Sequence, residues 1–316
     1  MLFTPIICSS VKVGGAMFVN EMLQGAHDLR RFRGRTEENI RRRVTMGYYN
    51  RRGLSQAVQD DGLLLFLTGA GISTASGIPD FSNPSTWWEW QGRRIEPLQM
   101  ATQRMFRVRP DWSWSWYLYR RALVHRSRPN EAHQALVQLE QLLGDRFLLI
   151  TQNVDGLHLR AGNSGRRTFQ IHGNLDYHRC TAGCPEVKYL REDLLNPNKE
   201  LLGRSVLNQL RCGECGSLTR PHILWFDEQY DEMWFRWQSS LEAASQASLL
   251  AVIGSSGNTN LPRRVAEKAG EKAFLVNIDL KDNWFSQLVT SRRGIQLNEP
   301  ALLAVPRFAD LVKKAV

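Results

Sequence analysis

The 316-residue chain contains no apolar run long enough to cross a bilayer. Its uninterrupted apolar stretches, such as Leu63 to Leu67, fall far short of the roughly 20 residues a membrane helix needs. Cysteine is scarce: five residues cannot staple a fold of this length. There is no complete G-x-G-x-x-G, no internal repeat and no low-complexity segment. The first 15 residues lack a basic n-region and an A-x-A-like cleavage site, which argues against a secretory signal. The following stretch is Arg-rich, but its Asp28, Glu37 and Glu38 argue against a transit peptide. The cytoplasm is the expected compartment.

What is present is ordinary for a soluble globular protein: 42% hydrophobic and 23% charged residues. The length suits one large domain, or a large and a small one. The net charge of +10 is uneven. Arg30, Arg31, Arg33, Arg35, Arg41, Arg42, Arg43, Arg51 and Arg52 crowd a basic extension over residues 1–60. Such an arm could attract phosphate of nucleic acid. It carries no recognisable DNA-binding motif, and most such runs are solvated faces or tails, so specific recognition is not expected.

Leu63–Thr68, Phe147–Ile150, Leu249–Ile253 and Ala273–Val276 are continuous apolar runs, the pattern of strands buried on both faces. Between the second pair and around them lie helical patterns. Asn130 can cap a helix with Ala135, Leu136, Leu139, Leu142 and Leu143 on its apolar face and Gly144 as its stop. A last helix is expected after Pro306, from Phe308, Leu311 and Val312. Alternating strands and helices imply an α/β fold with a doubly wound, Rossmann-like parallel sheet. Each run is followed at once by a polar segment: Gly69-Ala70-Gly71, Thr151-Gln152-Asn153, Gly254-Ser255-Ser256 and Asn277-Ile278-Asp279. A parallel sheet gathers these at its carboxyl edge, where such folds bind ligands.

Two stretches interrupt the pattern. Residues 82–128 hold six of the ten tryptophans and read as a helical insertion. Residues 178–222 hold Cys180-x3-Cys184 and, after 27 intervening residues, Cys212-x2-Cys215. Two close thiolate pairs brought together give the closed tetrahedral set of a structural zinc, with no open position for catalysis. The expected layout is therefore a nucleotide-binding domain over 61–177 and 223–316, carrying the insertion, with a zinc-binding module at 178–222.

Thr68-Gly69-Ala70-Gly71-Ile72-Ser73 at a strand-to-helix turn lets backbone N–H groups approach a pyrophosphate. Taken alone, Gly-Ala-Gly is equally a tight turn without a ligand. The longer string from Gly69 to Phe81 resembles the signature of the sirtuins, a family of NAD-dependent protein deacylases. The resemblance continues in order through Thr151-Gln152-Asn153-Val154-Asp155, His172-Gly173-Asn174, the cysteine pairs, Arg220-Pro221-His222-Ile223-Leu224-Trp225-Phe226, Gly254-Ser255-Ser256 and Val276-Asn277. It spans roughly residues 62–310.

The resemblance implies a lysine deacylase that takes acyl-lysine proteins as substrates and consumes NAD. It implies His172 as catalytic base, and Asn153, with Gln152 and Asp155, at the nicotinamide ribose and carboxamide. Gly69, Ala70, Gly71, Ser73, Asp80 and Phe81 belong to the NAD-binding loop, with Phe81 shielding the reaction centre. Gly254, Ser255, Ser256 and Asn277 match contacts to the phosphate and adenosine end. Trp225 and Phe226 lie in the segment where substrate peptide adds as a strand. There Asp227-Glu228 replaces the commoner Gly-Glu, an added charge expected to favour basic substrates weakly. Tyr117 and Arg120, three apart on a helix, resemble the pair that class III sirtuins use to recognise succinyl and malonyl groups. The competing reading is an aromatic helix packed in a core with Arg at its rim. Ser82 stands where the family usually has arginine, which keeps two alternatives open: NAD hydrolysis or ADP-ribosyl transfer, in which another nucleophile takes the ribose. A non-catalytic NAD-sensing or DNA-tethered module is a third, suggested by the basic arm.

Overall fold

The computed structural model describes residues 50–79, 83–292 and 294–316. The basic extension up to residue 49, and Asp80, Phe81 and Ser82 of the glycine loop, lie outside the described residues. All four apolar runs form strands of one parallel sheet: β1 (Leu63–Thr68), β4 (Phe147–Thr151), β9 (Ala247–Ile253) and β10 (Phe274–Ile278). The three-residue strands β5 (Thr168–Gln170) and β11 (Ile295–Leu297) close its edges. The order is β11-β10-β9-β1-β4-β5, with every pairing parallel. The order turns back at β1, so β1 and β9 flank the switch point of a doubly wound sheet.

Alternation along β1 decides what each face buries. Leu64 and Phe66 face helices α1 (50–59), α4 (Glu131–Leu143) and α8 (Ala301–Lys313), meeting Leu54, Val58, Leu136, Leu139 and Phe308. Leu65 and Leu67 face α5 (Trp237–Ser245), α6 (Asn260–Ala269) and α7 (Trp284–Arg292), meeting Ala244, Leu261, Val265 and Phe285. Both faces are covered, which is why the strands are apolar throughout.

Helix α4 starts at Asn130 as its sequence requires, with the Asn130 side chain accepting from Ala132 N at 3.0 Å and Gly144 at its end. Leu142 points to solvent instead of the core; the buried face runs through Ala132, Ala135, Leu136, Leu139 and Leu143. The last helix begins at Ala301, so Pro306 lies inside it and not before it. Proline removes one N–H there, yet Ala304, Val305, Phe308, Ala309 and Val312 still pack on the sheet.

The tryptophan-rich stretch is not wholly helical. It opens with a hairpin of β2 (Trp88–Trp90) and β3 (Arg93–Ile95), then continues as α2 (Gln103–Val108) and α3 (Pro110–Arg126). A three-stranded antiparallel sheet of β6 (Gly173–Cys180), β7 (Val187–Tyr189) and β8 (Thr219–Ile223) carries the cysteine-bearing segment. These parts share a core of Trp88, Trp114, Trp116, Tyr117, Leu175, Leu190, Leu210, Ile223 and Trp225. Helix α3 is buried on nearly every side, so it has no single apolar stripe. Its Arg121 is fully buried, donating to Asp176 at 2.8 Å and to the carbonyls of Leu190, Arg191 and Leu194.

Two buried imidazoles, His133 and His158, stack at 4.8 Å beside the carboxyl end of β1. His133 Nδ1 accepts from Asn130 N, and His158 Nε2 lies 3.0 Å from the Thr68 hydroxyl. Burial pushes His133 down to about 4 and His158 well below its ordinary value. Both are neutral when folded, whereas the unfolded chain protonates them below about pH 6.5. Unfolding therefore takes up protons in that window, and stability is lost as pH falls from 6.5 toward 4. The urea midpoint should drop between pH 6.5 and 5 by the equivalent of about 1–2 kcal/mol per buried imidazole. His158→Gln, which does not titrate, should flatten part of that slope; an unchanged midpoint over the range would contradict the assignment.

Candidate active site and metal centre

Where β1 and β9 leave the sheet, their loops meet backbone to backbone. A Cβ on Gly69 would lie 2.6 Å from the Gly254 carbonyl oxygen, and one on Gly71 2.6 Å from Gly254 Cα. Gly254 itself adopts φ +60°. Gly71 N donates to Gly254 O at 2.9 Å. No side chain fits at these three positions, and the approach leaves Ala70 and Ser256 exposed at the rim of the switch point.

The loop after β4 is tied to both of these. Gln152 Nε2 donates to Ser255 Oγ at 2.7 Å, and Thr259 Oγ1 donates to Gln152 Oε1 at 2.9 Å. Asn153 Nδ2 donates to Gly69 O at 3.0 Å and to Ser73 Oγ at 3.1 Å. Ser73 in turn donates to Asp155 at 2.7 Å, whose other oxygen accepts from Leu157 N at 2.8 Å. Burial pushes the Asp155 carboxyl up, opposed by the Leu157 amide, the Ser73 hydroxyl and the nearby charges of Arg160 and Arg120. On β10, Asn277 is fully buried; its Nδ2 faces Asn283, Ser286 and Gln296, and its Oδ1 has no partner. An orphaned acceptor at the carboxyl edge, beside a glycine cradle, fits the adenosine end of a dinucleotide.

His172 lies between the two sheets, just before β6, and is half-buried. Its Nδ1 is 2.9 Å from the Gln152 carbonyl oxygen, which can only accept, so Nδ1 carries the proton. Its Nε2 is 2.7 Å from the Tyr230 hydroxyl. Burial pushes the imidazole down to about 4, partly offset by the Gln152 carbonyl. Tyr230 has no counterpart in the sequence reading, since its partner is 58 residues away.

Helix α3 brings Tyr117 and Arg120 into the interior, both nearly inaccessible. The Tyr117 hydroxyl accepts from the Trp225 indole at 2.9 Å. Burial lowers the Arg120 guanidinium's affinity for its proton, while Tyr117 and Asp155 favour its charge. The Arg120 guanidinium lies 5.5 Å from the Trp116 ring centroid, and neighbouring Arg121 turns to Asp176. Trp225 is buried against Phe106 and under Arg220, 3.4 Å from its ring, so it braces the segment after β8. Phe226 is 53% exposed and is the residue offered outward.

The acidic pair after Phe226 is committed within the protein. Asp227 accepts from the first amides of α2, Gln103 N at 2.7 Å and Arg104 N at 3.1 Å. Glu228 holds both guanidinium nitrogens of Arg220 and accepts from Trp225 N at 3.0 Å. Glu228 is ion-paired with Arg220, whereas Asp227 is exposed and keeps its charge while it caps α2.

Cys180, Cys184, Cys212 and Cys215 place their sulfurs within 4.8 Å of one another, with Cys180 and Cys215 at 3.4 Å. A tetrahedral zinc with thiolates at about 2.3 Å sets sulfurs roughly 3.8 Å apart, so the set fits one structural zinc. The Ala182 amide donates to Cys180 Sγ at 3.3 Å, a contact that favours a thiolate there.

A model of the Sir2 family matches residues 69–260. An NAD-dependent protein deacylase of Leptospira interrogans is 36% identical over 71% of this chain and 83% of its own length. NAD-dependent protein deacylase 2 of Pyrobaculum aerophilum is 33% identical over 78% of this chain and 90% of its own. Among solved structures, a Sir2 homolog–NAD complex superposes with TM-score 0.66 at 29% identity, covering 83% of this chain and 93% of that one. A Sir2–p53 peptide–NAD complex gives 0.60 at 27% identity, covering 82% and 95%. The chain belongs to the Sir2 family. Its class is that of the NAD-dependent protein-lysine deacylases. Among the described residues no helix is long and apolar enough to cross a membrane.

Purified protein should carry about one zinc per chain, and a strong chelator should unfold the β6–β8 module while the parallel sheet persists. Elemental analysis with far-UV circular dichroism checks both. Metal content well below one per chain would exclude the site.

Proposed function

We propose that His172 is the general base of an NAD-dependent deacylation in which NAD lies along the β1, β4 and β9 loops. The carrying observation is the imidazole itself: Nδ1 is fixed on the Gln152 carbonyl, and Nε2 is the nitrogen left to accept a proton. Held at about 4, it is unprotonated across the neutral range. NAD, when bound, supplies a ribose whose bond to nicotinamide breaks as the acyl oxygen of the lysine takes its place.

The residues around it divide the remaining work. Gly69, Ala70, Gly71 and Gly254 allow close approach of the pyrophosphate, and Ser255, Ser256 and Asn277 serve the phosphate and adenosine end. Gln152, Asn153 and Asp155, oriented by Ser73, hold the nicotinamide ribose and carboxamide. Asp80 and Phe81 complete the loop on the strength of the sequence. Phe226 meets the substrate peptide, with Trp225 buttressing it. Acyl-lysine proteins are the substrates, and Tyr117 with Arg120 extends the range from acetyl to succinyl and malonyl groups.

Mass spectrometry of NAD reactions with acetyl-, succinyl- and unmodified lysine peptides separates deacylation from NAD hydrolysis and ADP-ribosyl transfer. His172→Ala should lose deacylation by 100-fold or more, on the order of general-base effects, while NAD binding by calorimetry changes little. Asn153→Ala should impair an earlier event, seen as slower exchange of labelled nicotinamide.

Acyl choice has its own test. A succinyl carboxylate gains charge-assisted bonds from Arg120 that acetyl cannot make, worth about 1.5–3 kcal/mol each. Arg120→Met should cut succinyl turnover by roughly ten-fold or more and leave acetyl turnover nearly unchanged. An equal loss of both would mean that the arginine supports the fold or NAD. Arg121 is unsuited as a control, because its burial against Asp176 makes any substitution a stability change.

A further inference from the structure

Tyr230 lies in the segment after β8, between Glu228 and the short helix Glu232–Phe235. Its ring packs on Trp237 at 5.5 Å and on His172 at 5.8 Å. Its hydroxyl is 2.7 Å from His172 Nε2. A neutral imidazole offers one lone pair at that nitrogen, and here Tyr230 occupies it. Yet that lone pair is the one a base must use.

We infer that Tyr230 is a positioning residue for His172: its hydroxyl holds the Nε2 lone pair in the free enzyme and gives way to the substrate hydroxyl that the base deprotonates. The inference rests on His172 being that base. The transfer is a simple exchange. The substrate O–H bond breaks, its proton goes to Nε2, its electron pair stays on the oxygen, and Nδ1 keeps its proton on Gln152. Until that hydroxyl arrives, Tyr230 keeps the ring from rotating and keeps water from the nitrogen.

The direction of the bond follows from the imidazole tautomer. Nδ1 spends the neutral ring's one hydrogen on the Gln152 carbonyl, so Nε2 can only accept. Tyr230 therefore donates to Nε2 and stabilises the unprotonated ring. No charged side chain of the described residues contributes to the His172 shift, and Tyr230 is the titratable group facing it.

Removing the hydroxyl withdraws the O–H donor that stabilises the unprotonated Nε2, so the His172 pKa is expected to rise. The test is ¹⁵N NMR of the histidine rings in NAD-free protein, comparing wild type with Tyr230→Phe, which keeps the ring on Trp237. Wild type should show the Nδ1–H tautomer, and Tyr230→Phe should titrate about 0.5–1 pH unit higher. The acid limb of kcat/KM for NAD should move up by the same amount. Matching amide fingerprints of the two proteins exclude misfolding as the cause. Titration within 0.2 unit of wild type, or an Nε2–H tautomer, overturns the positioning role. His172→Ala separates the two ideas: full turnover in that variant removes the base itself. Lost turnover there with an unshifted Tyr230→Phe removes only the tyrosine's part.

Discussion

The site depends on one steric constraint, the contact of the Gly69–Gly71 turn with Gly254. Two chain segments that leave neighbouring parallel strands usually diverge. Here they touch at distances that no Cβ tolerates. The contact forces Ser255 beneath Gln152 and exposes the Gly69 carbonyl to Asn153. Three loops from β1, β4 and β9 become one rigid rim as a result. An alanine at any of these glycines would part the rim, with effects on groups that the glycine itself never touches.

A second linkage joins the substrate side to the metal side. Trp225, Tyr117 and Leu175 belong to one core, and Arg121 bolts α3 to β6 and to the chain after β7. A buried guanidinium is costly unless each donor is met. Here a carboxylate and three carbonyls meet it, and His125 shares the same Asp176 oxygen at 2.6 Å. The cysteine-bearing module and α3 are therefore packed into one core and tied by one buried guanidinium.

Much of this was legible in the chain because parallel strands buried on both faces write themselves as unbroken apolar runs. Four such runs located the central sheet, and the polar segments behind them located the rim. The edge strands Thr168–Gln170 and Ile295–Leu297 escaped because three residues with polar members carry no period. The hairpin at Trp88–Ile95 was masked by tryptophans, which suit helix and strand alike when buried. The start of α8 falls before Pro306, which reads as a boundary, because packing against the sheet outweighs one missing amide. The roles of Asp227, Arg121 and Tyr230 are tertiary facts: each partner lies far along the chain, and residue type alone leaves the pairing open.

If Arg120 meets the acyl group as proposed, its surroundings limit how selective that site would be. Arg120 and Asp155 are both buried, and each favours the charged form of the other. Asp155 already spends its oxygens on Ser73 and Leu157, so its charge cannot be moved without loosening the NAD loop. A succinyl carboxylate entering beside Arg120 meets a cation whose field is in part cancelled. Its gain over acetyl is thus smaller than an isolated buried arginine would give, because the second anion must share that cation with the first. A neutral acyl group leaves the Arg120–Asp155 field undisturbed. On the proposed acyl role, the geometry that would admit acidic acyl groups would also leave acetyl-lysine a competent substrate, so Arg120 would serve breadth more than exclusion.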